Sequence, residues 1–211
     1  MKLTSTCFTD NAAIPGECAF CAPDSVNHAT LSKNLNPDLI WSGLPPNTRS
    51  LALICVDPDV PSRGDDVNKE GRAVAASLPR VDFYHWVLVD LPVQTPSIAK
   101  GEFASSITAK GKAGPVAPRG ARQGVNDFTG WFASDPEMAG NYFGYDGPCP
   151  PWNDDLMHHY VFTLYALDIS RCPLEGRFTG AEVLKAIQGH VLGQASLTGH
   201  YTLNPAVKID L

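Results

Sequence analysis

Apolar residues in this chain fall into short runs, separated by polar stretches rich in Gly and Pro. Three runs dominate: SLALICVD (residues 50–57), FYHWVLVD (83–90) and HYVFTLYALD (159–168). Each is rich in β-branched, aromatic or aliphatic residues and bounded by turn formers, which predicts a strand. Weaker strands are predicted near 1–8, 39–42 and 201–203. One helix is marked by Thr179 and Glu182, spaced as a capping box, with Val183, Leu184, Ile187 and Val191 at helical intervals after them. Gly189 is expected to end it, and a second short helix is expected over 192–195. Strands come early and helices late, without βαβ alternation. The fold class predicted is mainly β, an antiparallel β-sandwich with C-terminal α-helices, as a single domain over 1–211.

Strand alternation places polar groups at the ends of apolar faces. Leu51, Leu53, Cys55 and Asp57 share one face, Phe83, His85, Val87 and Val89 another, and His158, Tyr160, Phe162 and Leu164 a third, with His159 on the opposite side. If the three strands are neighbours with matched ends, Asp57, His85, His158 and Tyr160 converge at the rim of the core. Two imidazoles and a phenol supply donors, and a carboxylate can hold an imidazole in one tautomer or keep it charged. Such a cluster at the mouth of an apolar core suits an anion such as phosphate. Each residue alone reads as a satisfied rim group; four on consistent faces read as a site.

Composition narrows the function classes. The 211 residues are 44% hydrophobic and 18% charged, with a formal net charge of −6. That supports an ordered core and argues against nucleic acid as a partner. The one basic run, KGKAGPVAPRGARQ (110–123), reads as a solvated loop. The start, MKLTSTCFTD, has no apolar run of signal-peptide length, and no stretch approaches a membrane span, so a cytoplasmic location is expected. Of six cysteines, Cys55 lies in an apolar run as a buried thiol, and Cys18 and Cys21 form a lone CxxC. No second ligand pair follows it, so unpaired thiols are expected rather than a zinc site. Three loops, about 62–80, 107–125 and 133–157, are long enough to be functional.

The motifs DPDVP (57–61), HWVLVDLP (85–92) and GPCPP…HHYVFTLYAL (147–167) resemble the phosphatidylethanolamine-binding protein family, closest to its bacterial Raf kinase inhibitor-like branch. WSGLPPNTRSLALI and GHVLGQASLTGHY fit the same branch, so the resemblance spans nearly the whole chain. It implies an antiparallel β-sandwich with C-terminal helices and a pocket for phosphate-like or carboxylate anions, including phospholipid head groups. By motif, Asp57 and Asp59 match the family's acidic pair, Pro61 its closing proline, and His85 the histidine of the second motif. Pro150 and Pro151 match its paired prolines, and His158 and Tyr160 the histidine and tyrosine of the third motif. Cys149 stands where animal members tend to have glycine, which suggests its backbone N–H as an anion donor. The segments 62–80 and 130–155 depart from the animal pattern and can reshape the rim. Bacterial relatives also suggest a homodimer.

The expected function is therefore a small-anion or phosphorylated head-group binding protein with an inhibitor-like regulatory role, without catalytic residues, metal or cofactor. Two other classes stay open: a hydrolase using the Asp/His cluster, with or without a metal, and an interaction protein with a vestigial pocket. No H-E-x-x-H, G-x-S-x-G, G-x-G-x-x-G or P-loop pattern is present. The aromatic residues Trp131, Phe132, Tyr142, Phe143, Tyr145 and Trp152 read as packing a loop onto the sheets, with an exposed interface patch as the alternative. Pro58 and Pro61 stiffen the turn that presents the aspartates, and a cis Val60–Pro61 bond is expected.

Overall fold

The computed structural model describes residues 1–208. In chain order its strands are β1 (Lys2–Thr4), β2 (Ala12–Ala13), β3 (Cys21–Asp24), β4 (His28–Leu31), β5 (Leu39–Ser42), β6 (Ser50–Pro61), β7 (Arg80–Leu91), β8 (Ser97–Ile98), β9 (Arg122–Gln123), β10 (His158–Leu167) and β11 (Val191–Tyr201). Two short α-helices accompany them, α1 (Phe128–Trp131) and α2 (Gly180–Ala186), with 3-10 turns at Gly16–Cys18 and Pro118–Gly120. The fold is mainly β. A six-stranded sheet in the order β2-β11-β10-β6-β7-β9 forms its centre, with a three-stranded sheet β1-β5-β8 and the hairpin β3-β4 beside it. All these pairings are antiparallel except β11 with β2.

The central strands are apolar without interruption because both faces of the sheet are covered. On one face Leu51, Leu53, Trp86, Leu88, Phe162 and Leu164 meet Leu3, Leu39, Trp41 and Ile98 of the small sheet. On the other, Ala52, Ile54, Val87 and Val89 meet Phe178, Val183 and Ile187 around α2. The expected capping box is formed: the Thr179 hydroxyl accepts from the Glu182 N–H, and Glu182 accepts from the Thr179 N–H at 2.8 Å.

Alternation fails at one informative place. Cys55 pairs with Trp86, but the next pair is Val56 with Tyr84, so His85 is an extra residue in β7. This β-bulge puts Phe83 and His85 on the same side as Trp86 and Leu88, while Val87 and Val89 face α2. The expectation that Phe83, His85, Val87 and Val89 share a face is therefore corrected. An extra residue re-aims its neighbours. A second irregularity lies between Asp57 and Val60, where Pro58, which has no N–H for a ladder, is accommodated.

Four further expectations are overturned. Residues 192–195 are strand, not helix: β11 pairs with β10 from Val191 opposite Leu167 to Tyr201 opposite His158. Its Gly193 and Gly199 disfavour helix, and a Cβ on Gly199 would lie 2.4 Å from Ile14, so the strand is also fitted to its neighbour. The Val60–Pro61 bond is trans; the cis X–Pro bond is Gly114–Pro115. Cys21 is not a free thiol but is bonded to Cys149, 128 positions away, a pairing that depends on loop placement. Cys18 is free and buried.

Finally, the basic run is not a solvated loop. Arg122 is buried, donating to Asp90 at 2.5 Å and to the carbonyls of Cys172 and Leu174. Arg119 forms a two-pronged pair with Glu102 at 2.5 and 2.7 Å, and Lys112 donates to the buried Asp146. Three of the run's four cations have fixed partners, which inverts the usual reading of a charge run, while Lys110 is exposed.

Removing one member of a buried ion pair strands the other. Arg122→Leu is expected to cost about 3–5 kcal/mol of unfolding free energy. Lys69→Ala, on an exposed loop, stays within about 0.5 kcal/mol. Urea titration of both variants checks this.

Candidate functional site

β6, β7 and β10 lie side by side, and their facing ends close the floor of a cavity of about 240 Å³. Asp57, His85, His158 and Tyr160 all line it, so the convergence expected from strand faces is realised. Pro61, Cys149, Pro150 and Pro151 line it as well. Asp59 does not. The chain irregularity after Asp57 turns it away, and its carboxylate accepts from the His159 N–H and meets His159 Nδ1, both at 2.9 Å. Expected among the ligand-binding residues, it lies in a pairing with His159 outside the cavity lining.

His158 is the anchor of the floor. Its Nδ1 lies 2.7 Å from Asp57 Oδ2 and its Nε2 3.1 Å from Asp154 Oδ2, with all three side chains buried. Asp154 is held in turn by a two-pronged pair from Arg80 at 2.6 and 3.0 Å. A ring flanked by carboxylates on both sides donates both protons. Burial disfavours the charged ring, but the hydrogen bonds to Asp154 and Asp57 overcome it and raise its pKa to about 9. Burial likewise opposes the Asp154 carboxylate, and the His158 and Arg80 hydrogen bonds win, lowering its pKa. Two carboxylates and two cations thus balance. His158 has no hydrogen left for a ligand, which corrects the reading of both imidazoles as available donors.

His85 is different. Its Nδ1 lies 2.7 Å from the Asp146 carbonyl oxygen, which can only accept, so Nδ1 carries the proton. In the neutral ring Nε2 is then a bare lone pair. Burial outweighs the favourable charges of Asp57 and Asp146 and lowers the ring's pKa, so it is neutral at pH 7. Tyr160 stacks edge-on against it with centroids 5.0 Å apart, and burial first, then the Asp57 charge, keeps the phenol protonated. The floor therefore offers a phenol donor and an imidazole acceptor that becomes a donor on taking up a proton.

Behind His85 lies a network that alternation does not reveal. The Asp146 carboxylate is fully buried and accepts from Asn34 at 2.7 Å, Lys112 at 2.7 Å and Asn126 at 2.8 Å. The Asp146 N–H donates to the His85 carbonyl at 3.0 Å, so the same residue grips both ends of the histidine. Asp146 immediately precedes the GPCPP motif, and Asp154 lies four residues before His158; those were the available signals. Asn34, Lys112 and Asn126 carry none.

The walls are apolar. Phe20, Phe83, Phe128 and Phe132 line the cavity, with Leu31 and the half-exposed Trp131 at its mouth. The Cys21–Cys149 disulfide ties the β3–β4 hairpin to the proline wall. Among the other aromatic residues singled out in sequence, Tyr142, Phe143 and Tyr145 are buried and Trp152 stacks on His28 at 4.0 Å, so they pack the loops as expected. Among the described residues, no group of three or more His, Cys, Asp and Glu side chains is arranged to hold a metal. Nor is any helix among them long and apolar enough to cross a membrane.

Comparison with known proteins bears on the family and the fold. The sequence pattern described as "Phosphatidylethanolamine-binding protein" matches residues 4–202. A UPF0098 protein of Methanothermobacter thermautotrophicus is 31% identical over 95% of this chain and 98% of its own. The UPF0098 protein YbhB of Escherichia coli is 30% identical over 80% of this chain and 82% of its own. The crystal structure of E. coli YbcL, titled a new member of the mammalian PEBP family, superposes with a TM-score of 0.66 at 24% identity, covering 95% of this chain and 97% of that one.

The linkage sign for His158 is set by its raised pKa. Its stabilising contribution is fully present below pH 6.5, the ordinary imidazole value, and is lost as pH rises through about 9. Wild-type stability is expected to fall by about 3 kcal/mol across that window, and His158→Gln to lack this slope. Urea midpoints taken between pH 6 and 10 test it; parallel slopes in the two proteins would refute the assignment.

Proposed function

We propose a function from one premise: the chain belongs to the phosphatidylethanolamine-binding protein family, whose pattern it carries from residue 4 to residue 202. The cavity is a binding site for a small acidic group, phosphate-like or carboxylate, which docks on His85 Nε2 and the Tyr160 hydroxyl. The observation that carries this reading is the His85 tautomer. With Nδ1 committed to the Asp146 carbonyl, Nε2 is the one imidazole nitrogen of the floor without a protein partner among the described residues. An acidic ligand brings a proton to share there, or draws one from solvent, and gains a charge-assisted hydrogen bond.

Binding rather than catalysis fits the same geometry. His158 is locked between two carboxylates and is neither a free base nor a free metal ligand. The two cavity cysteines are joined to each other, and no Ser or Thr lines the cavity beside His85 as a nucleophile. The proposal includes an inhibitor-like role toward a protein partner and a homodimer, as the bacterial relatives suggested. A single-chain mass by light scattering at micromolar concentration would remove the dimer.

The test is an NMR titration of the histidine ring nitrogens with inorganic phosphate and with phosphoethanolamine near pH 6.5. His85 is expected to shift saturably, while His190, paired with Asp168 at 2.9 Å, stays put. His85→Ala should weaken binding at least about tenfold, from a charge-assisted bond of about 1.5–3 kcal/mol. Because the folded ring's pKa is low, affinity should fall as pH rises above it. An unmoved His85 at saturating ligand would end this reading.

A further inference from the structure

The floor accommodates one proton and one negative charge, and the walls accommodate something apolar. We propose that the cavity prefers a small monocarboxylic acid with an aromatic or short alkyl body over phosphate and phosphate esters. This rests on the acidic-ligand reading above and names its chemistry.

Charge is the first argument. No Lys or Arg lines the cavity. The cation of the floor, His158, is engaged by Asp57 and Asp154, and Arg80 and Lys112 are paired with Asp154 and Asp146. The groups facing His85 are Asp57 from β6, His158 and Tyr160 from β10, and Asp146 from the segment before Gly147. Asp57 and Asp146 favour a protonated ring and His158 opposes it. When Nε2 takes one proton from solvent, a bound carboxylate is neutralised completely. A phosphate dianion with the same proton keeps one net negative charge inside apolar walls, where an unpaired charge is costly.

Shape is the second argument. Phe20 stacks on Phe128 at 4.8 Å and 18°, and Phe128 on Phe132 at 5.6 Å and 17°. The three rings thus form one wall around Phe128, Phe20 and Phe132 being tilted 35° to each other at 5.9 Å, with Phe83 edge-on to Phe128 and with Trp131 and Leu31 at the mouth. At about 240 Å³ the space is below the roughly 300–1,000 Å³ of sites for drug-sized ligands. It suits one ring or a short chain and leaves an inorganic ion with most of the wall unused.

Sodium phenylacetate, acetate, phenyl phosphate and inorganic phosphate are titrated into the full chain at pH 7, following the His85 ring nitrogens. Acetate isolates the contribution of the body, and phenyl phosphate that of the head. Phenylacetate is expected to bind at least about tenfold tighter than acetate, from burial of its ring. It should also bind tighter than either phosphate, and its affinity should fall about tenfold per pH unit above the His85 pKa, as uptake of one proton requires. Trp131→Ala, at the half-exposed rim, should weaken phenylacetate severalfold, and more than it weakens acetate. Tighter binding of phenyl phosphate, or equal binding of acetate and phenylacetate, overturns the preference while the acidic-ligand reading stands. A silent His85 with all four overturns both.

Discussion

An imidazolium between two buried carboxylates is stable only while every partner stays in place, and here the partners come from different parts of the chain. Asp57 ends the apolar face of β6, His158 begins β10, Asp154 precedes it in the loop, and Arg80 begins β7. Two negative and two positive charges are removed from water together. The desolvation of each is offset only by the others. The network therefore does more than stitch three strands. It uses up every proton of His158, so the open chemistry of the floor is confined to His85 and Tyr160. The part of the site that looks most reactive in sequence is the part that serves as scaffold.

The bulge at His85 is the second constraint, and it follows from the need for two different things on one strand. Trp86 and Leu88 must fill the core with Leu51 and Leu53, while Phe83 and His85 must reach the cavity on the same side of the sheet. A strict period of two cannot place both His85 and Trp86 on one face. One extra residue can, with its backbone secured by Asp146 at both ends.

What was legible in the sequence follows from range. The three central strands and the Thr179–Glu182 cap are set by neighbouring residues, and they were read correctly. Asp57, His158 and Tyr160 reach the cavity by simple alternation within their own strands. His85 was placed in the site, though its strand-mates Val87 and Val89 were misassigned, because a bulge leaves no local mark. β11 was missed because VLGQASLTGHY has small residues with little strand preference, and pairing with β10 decides it. The basic run deceived for the same reason: nothing near Lys112 or Arg122 in sequence announces Asp146 or Asp90. The Cys21–Cys149 bond joins residues 128 positions apart and depends on loops that only the folded chain brings together.

Floor and walls also have different origins, and that bears on how far family membership reaches. The floor stands on the central sheet, which the relatives share through their fold. The walls come from connecting segments: the β3–β4 hairpin with Phe20 before it, the segment after β6 with Val67 and Asn68, and α1 with Phe132 after it. Loops tolerate change that strands do not. At about 30% identity a relative can keep the floor and rebuild the space above it. A ligand body proposed for this chain must therefore be argued from its own walls, and those are Phe128 with Phe20 and Phe132 each stacked on it, beside a tryptophan, held to the proline segment by a disulfide.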